Sequence, residues 1–397
     1  MNAFSFYTLL WPAILIFVLC LVVTYKVTKW PGMAISLSFL KTVIFLFYFG
    51  WLFDGTFTFL DDWHYLQGSE KLLSAGVGVL NLSDSWQLLL NVGGGNHILY
   101  YLYNTYAFRL FGIGYYAPVA CNILLTVLIA YFGSRLAVKE FGLPYKQGKW
   151  CYLFILFQPD ILAWSNIMNG KDILVLLLTV LLLQAVALFY RKRIANAVLI
   201  AVPVVMLFLF LRYYVPLLFV LALLITSMIS SRINLRVRLI YLLTGAVLAV
   251  GIYLRLGLSG FQYAIAQVQS DLINPLFGFV RVILTPIPFH TSSAYTFLNI
   301  PALFHWLMIP IVILGLNSLR KKPGIFVTFF LVYAFVFISL YAVTGELQGP
   351  RHRVQLDYFF AILQFIGLTT VIKSIDFTLR GKLTDKEHRN VISGAIS

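Results

Sequence analysis

Charge is what this sequence has least of. Only 11% of its 397 residues are Asp, Glu, Lys or Arg, against 61% hydrophobic, and the mean hydropathy is +0.89. A soluble domain carries about 25% charged residues, so a soluble globular chain is excluded. No polar stretch is long enough to bury a core of its own, and no separate soluble domain is expected. Cysteine is scarce as well. Cys20, Cys121 and Cys151 fall within or at the edge of apolar runs without metal-ligand spacing, and read as small buried hydrophobes. A phosphate loop is lacking: no Gly-Lys-Ser/Thr follows Gly93-Gly94-Gly95. The N-terminus has neither the basic region nor the small-residue cleavage site of a signal peptide, so the first apolar stretch is expected to be retained. There is no repeat of fixed period.

What is present is a succession of apolar runs near the length of about 20 residues that spans a bilayer. They fall near 5–25, 33–53, 114–134, 150–168, 172–190, 194–211, 213–230, 237–256, 302–319, 324–343 and 357–373. The segments between them alternate in character. One set carries Lys26 and Lys29; Arg135, Lys139, Lys146 and Lys149; Arg191, Lys192 and Arg193; Arg232, Arg236 and Arg238; Arg320, Lys321 and Lys322; and Lys373 with the tail. That set holds 20 of the 29 basic residues but only four of the 14 acids. By the positive-inside rule it is cytoplasmic. The net charge of +15 is therefore a topology signal, and nucleic acid is not an expected partner. The expectation is an all-α polytopic membrane protein of about eleven spans, N-terminus outside and C-terminus inside.

The longest segment on the other side runs from Asp54 to about Gly114. Within it, Trp63 to Leu73 and His97 to Phe111 have helical apolar spacing but are too short or too polar to span. They read as helices lying at the membrane surface.

The charged residues that escape the basic side are few, and each calls for a reason. Asp61 and Asp62 sit in Phe59-Leu-Asp-Asp-Trp-His-Tyr65, just after a span. Adjacent carboxylates repel, and partial burial raises one pKa further. Such a pair suits a general base, and leaves room for a divalent cation; the plain alternative is a solvated acidic loop. His64 and Tyr65 are accessory candidates. Arg351 and Arg353 follow Gly349-Pro350 at the mouth of the last span. Guanidiniums there suit bidentate capture of a phosphate, or pairing with Glu346, Asp357 or lipid. Arg212 interrupts an apolar run, and Arg281 precedes Pro286 and Pro288; both are further phosphate-contact candidates. Lys171-Asp172 open a span, where the macrodipole favours a carboxylate and a lysine can snorkel. Lys41 lies within a span and reads as snorkelling or structural.

Together these motifs resemble the GT-C superfamily, polytopic glycosyltransferases that use polyprenyl-phosphate-linked sugars. The likeness is to bacterial members grouped with protein O-mannosyltransferases and the lipid A aminoarabinose transferase. Asp61-Asp62 with Tyr65 corresponds to the acidic pair of the first external loop, usually Asp-Glu. Leu110-Phe111-Gly112, Ser134-Arg135 through Phe141-Gly142, Pro159 through Trp164-Ser165 with Lys171-Asp172, and Arg351 with Arg353 follow in order. The resemblance covers most of residues 33–373. It implies a catalytic membrane domain over 33–373; the span expected over 1–32 is an addition before the usual first one, and a cytoplasmic tail is expected over 374–397. It also implies inverting sugar transfer on the periplasmic or extracellular face of the cytoplasmic membrane, to a glycan, lipid or protein acceptor. Asp61 or Asp62 is then the base. Arg351, Arg353, Arg212, Lys171 and Arg281 are the donor-phosphate contacts, with Asp172 accessory and no metal firmly implied. A polysaccharide repeat-unit polymerase, which relies on external arginines, is the alternative in the same chemistry. A lipid or solute transporter is the alternative from another class.

Overall fold

In hydrocarbon a backbone must satisfy its own hydrogen bonds, so an apolar chain of this kind is driven to helix. The computed structural model describes residues 3–93, 97–230, 233–270, 275–322, 324–343 and 349–394, and among them every regular element is helical. The chain begins with a hairpin, α1 (Phe6–Thr28) and α2 (Pro31–Phe47), the latter extended by a wider turn over Tyr48–Leu52. Two residues suffice to reverse it. Lys29 adopts a left-handed conformation at φ 57° and returns its N–H to the Tyr25 carbonyl, and Pro31 opens α2, where its fixed φ suits the first turn.

Then come α3 (Leu60–Ser74), α4 (Trp86–Gly93) and α5 (Ile98–Phe111). The first and last lie over the two amphipathic segments anticipated from spacing, and α3 packs on α5. The long α6 (Tyr116–Glu140) follows, then α7 (Tyr145–Leu156), α8 (Pro159–Ile167), α9 (Asp172–Tyr190), α10 (Ile194–Leu209) and α11 (Tyr214–Ile229). The rest of the bundle is α12 (Leu235–Ser270, kinked at Gly257), α13 (Pro275–Leu284), α14 (Asn299–Arg320) and α15 (Ile325–Val343). The short α16 (Pro350–Arg353) leads through one tight turn into α17 (Asp357–Gly394).

Eight of these helical stretches are long and apolar enough to cross a membrane: Phe6–Thr28, Pro31–Leu52, Tyr116–Glu140, Asp172–Tyr190, Leu235–Leu254, Ser293–Arg320, Ile325–Val343 and Pro350–Ile375. Each overlaps one of the eleven expected runs. Ile194–Leu209 and Tyr214–Ile229 have 16 residues each, about 24 Å of helix against about 30 Å of hydrocarbon.

The expected span over 150–168 is broken instead. α7 ends at Leu156, and α8 restarts at Pro159 with the Gln158 side chain accepting the Ile161 N–H at 2.8 Å. A helix end leaves carbonyls without partners, and here Lys41 supplies one. Fully buried in α2, its Nζ donates to the Leu156 carbonyl at 3.3 Å and sits 5.7 Å from the Phe157 ring centre. A cation near a helix C-terminus is favoured by the macrodipole, so Lys41 is accounted for structurally. Elsewhere small residues set the spacing. A Cβ on Gly315 would strike the Leu363 carbonyl, and one on Gly367 the Ile311 carbonyl, so α14 and α17 approach at backbone distance. The helix α17 also continues through most of the segment expected as a tail, to Gly394.

Candidate functional site

The two adjacent aspartates lie in the first turn of α3, where the macrodipole favours carboxylates. Successive helical residues point about 100° apart, so the pair diverges. Asp62 turns inward and is fully buried. Its Oδ2 accepts the Phe59 backbone N–H at 3.0 Å and the Tyr115 hydroxyl at 3.0 Å, while its Oδ1 has no partner. Burial raises its carboxyl to a pKa of about 7, against the opposing pull of Arg351. Asp61 turns outward; its side chain is 55% exposed and bonds Arg351 Nη1 at 2.9 Å.

From Asp61 a chain of ion pairs runs inward. Arg351 on α16 donates its Nε to Asp172 Oδ2 at 2.9 Å, and Asp172 Oδ1 pairs with Arg212. Asp172 is the first residue of α9, and Arg212 comes from the turn between α10 and α11. Asp172 and Arg212 are 1% and 4% exposed. Charges so buried are stable only in pairs, and one carboxylate here serves two guanidiniums. The pairing is incomplete on one side: Arg351 Nη2 is buried and has no partner among the described residues.

A second polar group lies beside this chain. Lys171 is buried and donates to the Tyr65 hydroxyl at 3.1 Å and to His97 Nε2 at 2.6 Å. An ammonium only donates, so Nε2 is the acceptor and the Nδ1–H of His97 donates to the Leu211 carbonyl at 2.9 Å. Burial and the nearby Lys171 push the His97 pKa down to about 3, so the ring is neutral. Burial, then Arg212 and Arg351, lower the Lys171 pKa well below its ordinary value. The α3 end is tied down from behind as well. The Asn169 N–H donates to Tyr115 Oη at 3.0 Å, and Tyr100 Oη donates to Asn169 Oδ1 at 2.8 Å.

The structure thus brings together Asp61, Asp62, Tyr65, Lys171, Asp172, Arg212 and Arg351, from segments scattered over the chain. Three other candidates go elsewhere. Arg353 is 3% exposed, and its guanidinium is taken by Asp160 Oδ1 and the Thr285 carbonyl, each at 2.6 Å. Residues two apart on a helix point about 200° apart, so Arg351 and Arg353 cannot form one clamp. Arg281 is exposed on α13 and His64 is exposed on α3. Glu346, a candidate partner for the arginines, lies outside the described residues. For a divalent cation the two aspartates offer diverging carboxylates, and no group of three or more His, Cys, Asp or Glu forms a metal cluster among the described residues. His97, Tyr115 and Asn169 were not legible from sequence: uncharged residues of common types, they bear no local mark of their roles.

Chemically, the arrangement sets an accessible carboxylate beside a guanidinium with a free N–H and further basic groups behind it. Such a site suits accepting a proton at one pole and holding an anion at the other. Fold and site define an all-helical, multi-pass membrane protein with a buried ion-pair chain near the N-terminal end of α3. No family model, curated protein or solved structure matches the chain.

Proposed function

We propose that the protein is a glycosyltransferase that moves a sugar from a polyprenyl-phosphate-linked donor to a cell-envelope glycan, lipid or protein hydroxyl. The observation that carries this reading is Arg351, which holds Asp61 at 2.9 Å while its Nη2 has no partner among the described residues. A base and an anion-binding donor are thereby placed side by side. In the reaction the acceptor oxygen attacks the anomeric carbon and inverts it. Its proton passes to Asp61, the bond from anomeric carbon to phosphate oxygen breaks, and that electron pair stays on the departing phosphate. Arg351 stabilises the charge that develops there, with Arg212 and Lys171 behind it.

Asp61 is the base in this reading because it is exposed. Asp62 is buried and its Oδ2 holds the start of α3, a positioning role. The active site faces the periplasm or exterior on the charge-bias argument, and the protein resides in the cytoplasmic membrane. The likeness to the GT-C superfamily noted from the sequence supports the same chemistry. A repeat-unit polymerase remains the second reading, favoured by the position of Asp172 between two arginines.

Mass spectrometry of lipid-linked precursors in cells with and without the protein separates the two. Accumulation of a polyprenyl-phosphate monosaccharide supports the main reading. Accumulation of a complete lipid-linked repeat unit supports the polymerase, and unchanged precursors contradict both.

A further inference from the structure

At the far end of α6 from Asp62, about 36 Å along a helix of 25 residues, there is a second charged feature. A cleft of about 560 Å³ opens between the end of α1, the end of α6 and the start of α7. Six cationic residues line it, Lys26, Lys29, Arg135, Lys139, Lys146 and Lys149, and no acidic residue does. None of the six forms an ion pair among the described residues. Two aromatic contacts shape the wall: Arg135 donates to the Tyr131 hydroxyl at 2.6 Å, and Lys26 lies 5.7 Å from the same ring's centre.

Part of this charge has a local explanation. Lys26 and Lys139 lie in the last turns of α1 and α6, where a cation complements the macrodipole. Lys146 and Lys149 do not. They lie in the first turns of α7, whose N-cap Pro144 offers no side-chain acceptor, so two cations crowd the positive end of a helix dipole. That placement is unfavourable alone and becomes favourable when an anion enters the cleft. Valines 27 and 138 line the same cleft, so its wall is apolar as well as cationic.

We infer that this cleft binds a phosphate-bearing ligand, with Lys146, Lys149 and the α7 N-terminus as its principal contacts. The chemistry is that of an anionic phospholipid headgroup at the membrane surface or of a free inorganic phosphate or pyrophosphate. The site is separate from the Asp61 cluster, and the inference does not depend on the proposed sugar transfer.

The test is native mass spectrometry of the full chain in detergent, titrated with phosphatidylglycerol, with zwitterionic phosphatidylcholine, and with inorganic pyrophosphate. The intact protein should prefer phosphatidylglycerol to phosphatidylcholine. Lys146→Gln with Lys149→Gln should weaken the favoured phosphate ligand about thirty-fold. Arg320→Gln with Lys321→Gln, basic residues that do not line the cleft, should leave it unchanged. Pyrophosphate that binds and displaces the lipid identifies the phosphate alone as sufficient, whereas lipid binding without pyrophosphate binding assigns the site to the headgroup. Equal loss in both double variants would overturn the inference, because bulk charge then explains the binding. Undiminished binding in the cleft variant would overturn it too, provided thermal unfolding shows that variant folded.

Discussion

Basic residues gather at two ends of this molecule and are treated in opposite ways. Around α3, Arg351, Arg212 and Arg353 are 13%, 4% and 3% exposed, and each lies against a carboxylate. Around the start of α7, Lys146 and its neighbours are largely exposed and lie against none among the described residues. The difference follows from solvation. A buried charge loses its water and must find an opposite charge. An exposed one is solvated and needs no partner inside the fold. Its value lies in what it meets outside, such as an anionic surface. Burial therefore separates basic residues that bind within the protein from those left to meet partners outside it.

The buried end depends most on Asp172, which serves two guanidiniums. Asp172→Asn leaves Arg212 without its charged partner and Arg351 with only one, and should cost about 3–5 kcal/mol, read as a fall in thermal unfolding temperature in detergent. Replacing Asp172 and Arg212 together by leucine should recover part of that loss; no recovery would mean that the pair is not the source. Arg353→Met should cost about 3 kcal/mol by stranding Asp160, while leaving donor affinity of the folded fraction unchanged. A selective loss of donor affinity would instead return Arg353 to the site.

A pH titration sharpens the same contrast. The Asp62 carboxyl is raised from 3.8 to about 7 on folding. Between those values the folded state binds more protons than the unfolded state. The Asp62 contribution to stability should therefore be full below about pH 4 and be lost as pH rises to about 7, by on the order of 1–3 kcal/mol. Asp62→Asn should flatten that slope, and an unaltered slope would assign it to other groups. The smallest effect belongs to the basic end. Glu140→Gln removes the Arg191 pair, whose arginine is 37% exposed, and should change stability by about 0.5 kcal/mol or less.

Much of this contrast was legible in the sequence. In a chain so short of charge, Asp61, Lys171, Asp172, Arg212 and Arg351 each stood out as misplaced, and burial drew them together. The spacing of apolar residues likewise marked α3 and α5. What sequence could not show was pairing at long range. Arg351 and Arg353, two residues apart at the mouth of the last span, read together as phosphate contacts. Once Pro350 starts a helix, they face opposite ways and reach Asp172 and Asp160 separately. Hydropathy also runs straight through Gln158-Pro159, where the proline lacks the N–H that would continue the ladder and Lys41, more than a hundred residues earlier, donates to the freed Leu156 carbonyl.

In the proposed sugar transfer Asp61 is the base and Arg351 the anion holder. This assignment is tested most directly by supplying the purified protein with a polyprenyl-phosphate monosaccharide and an envelope acceptor and measuring release of polyprenyl phosphate. Asp61→Asn should lower that release by about a thousand-fold or more in protein that unfolds at the normal temperature. Release at the full rate from folded Asp61→Asn would contradict that assignment.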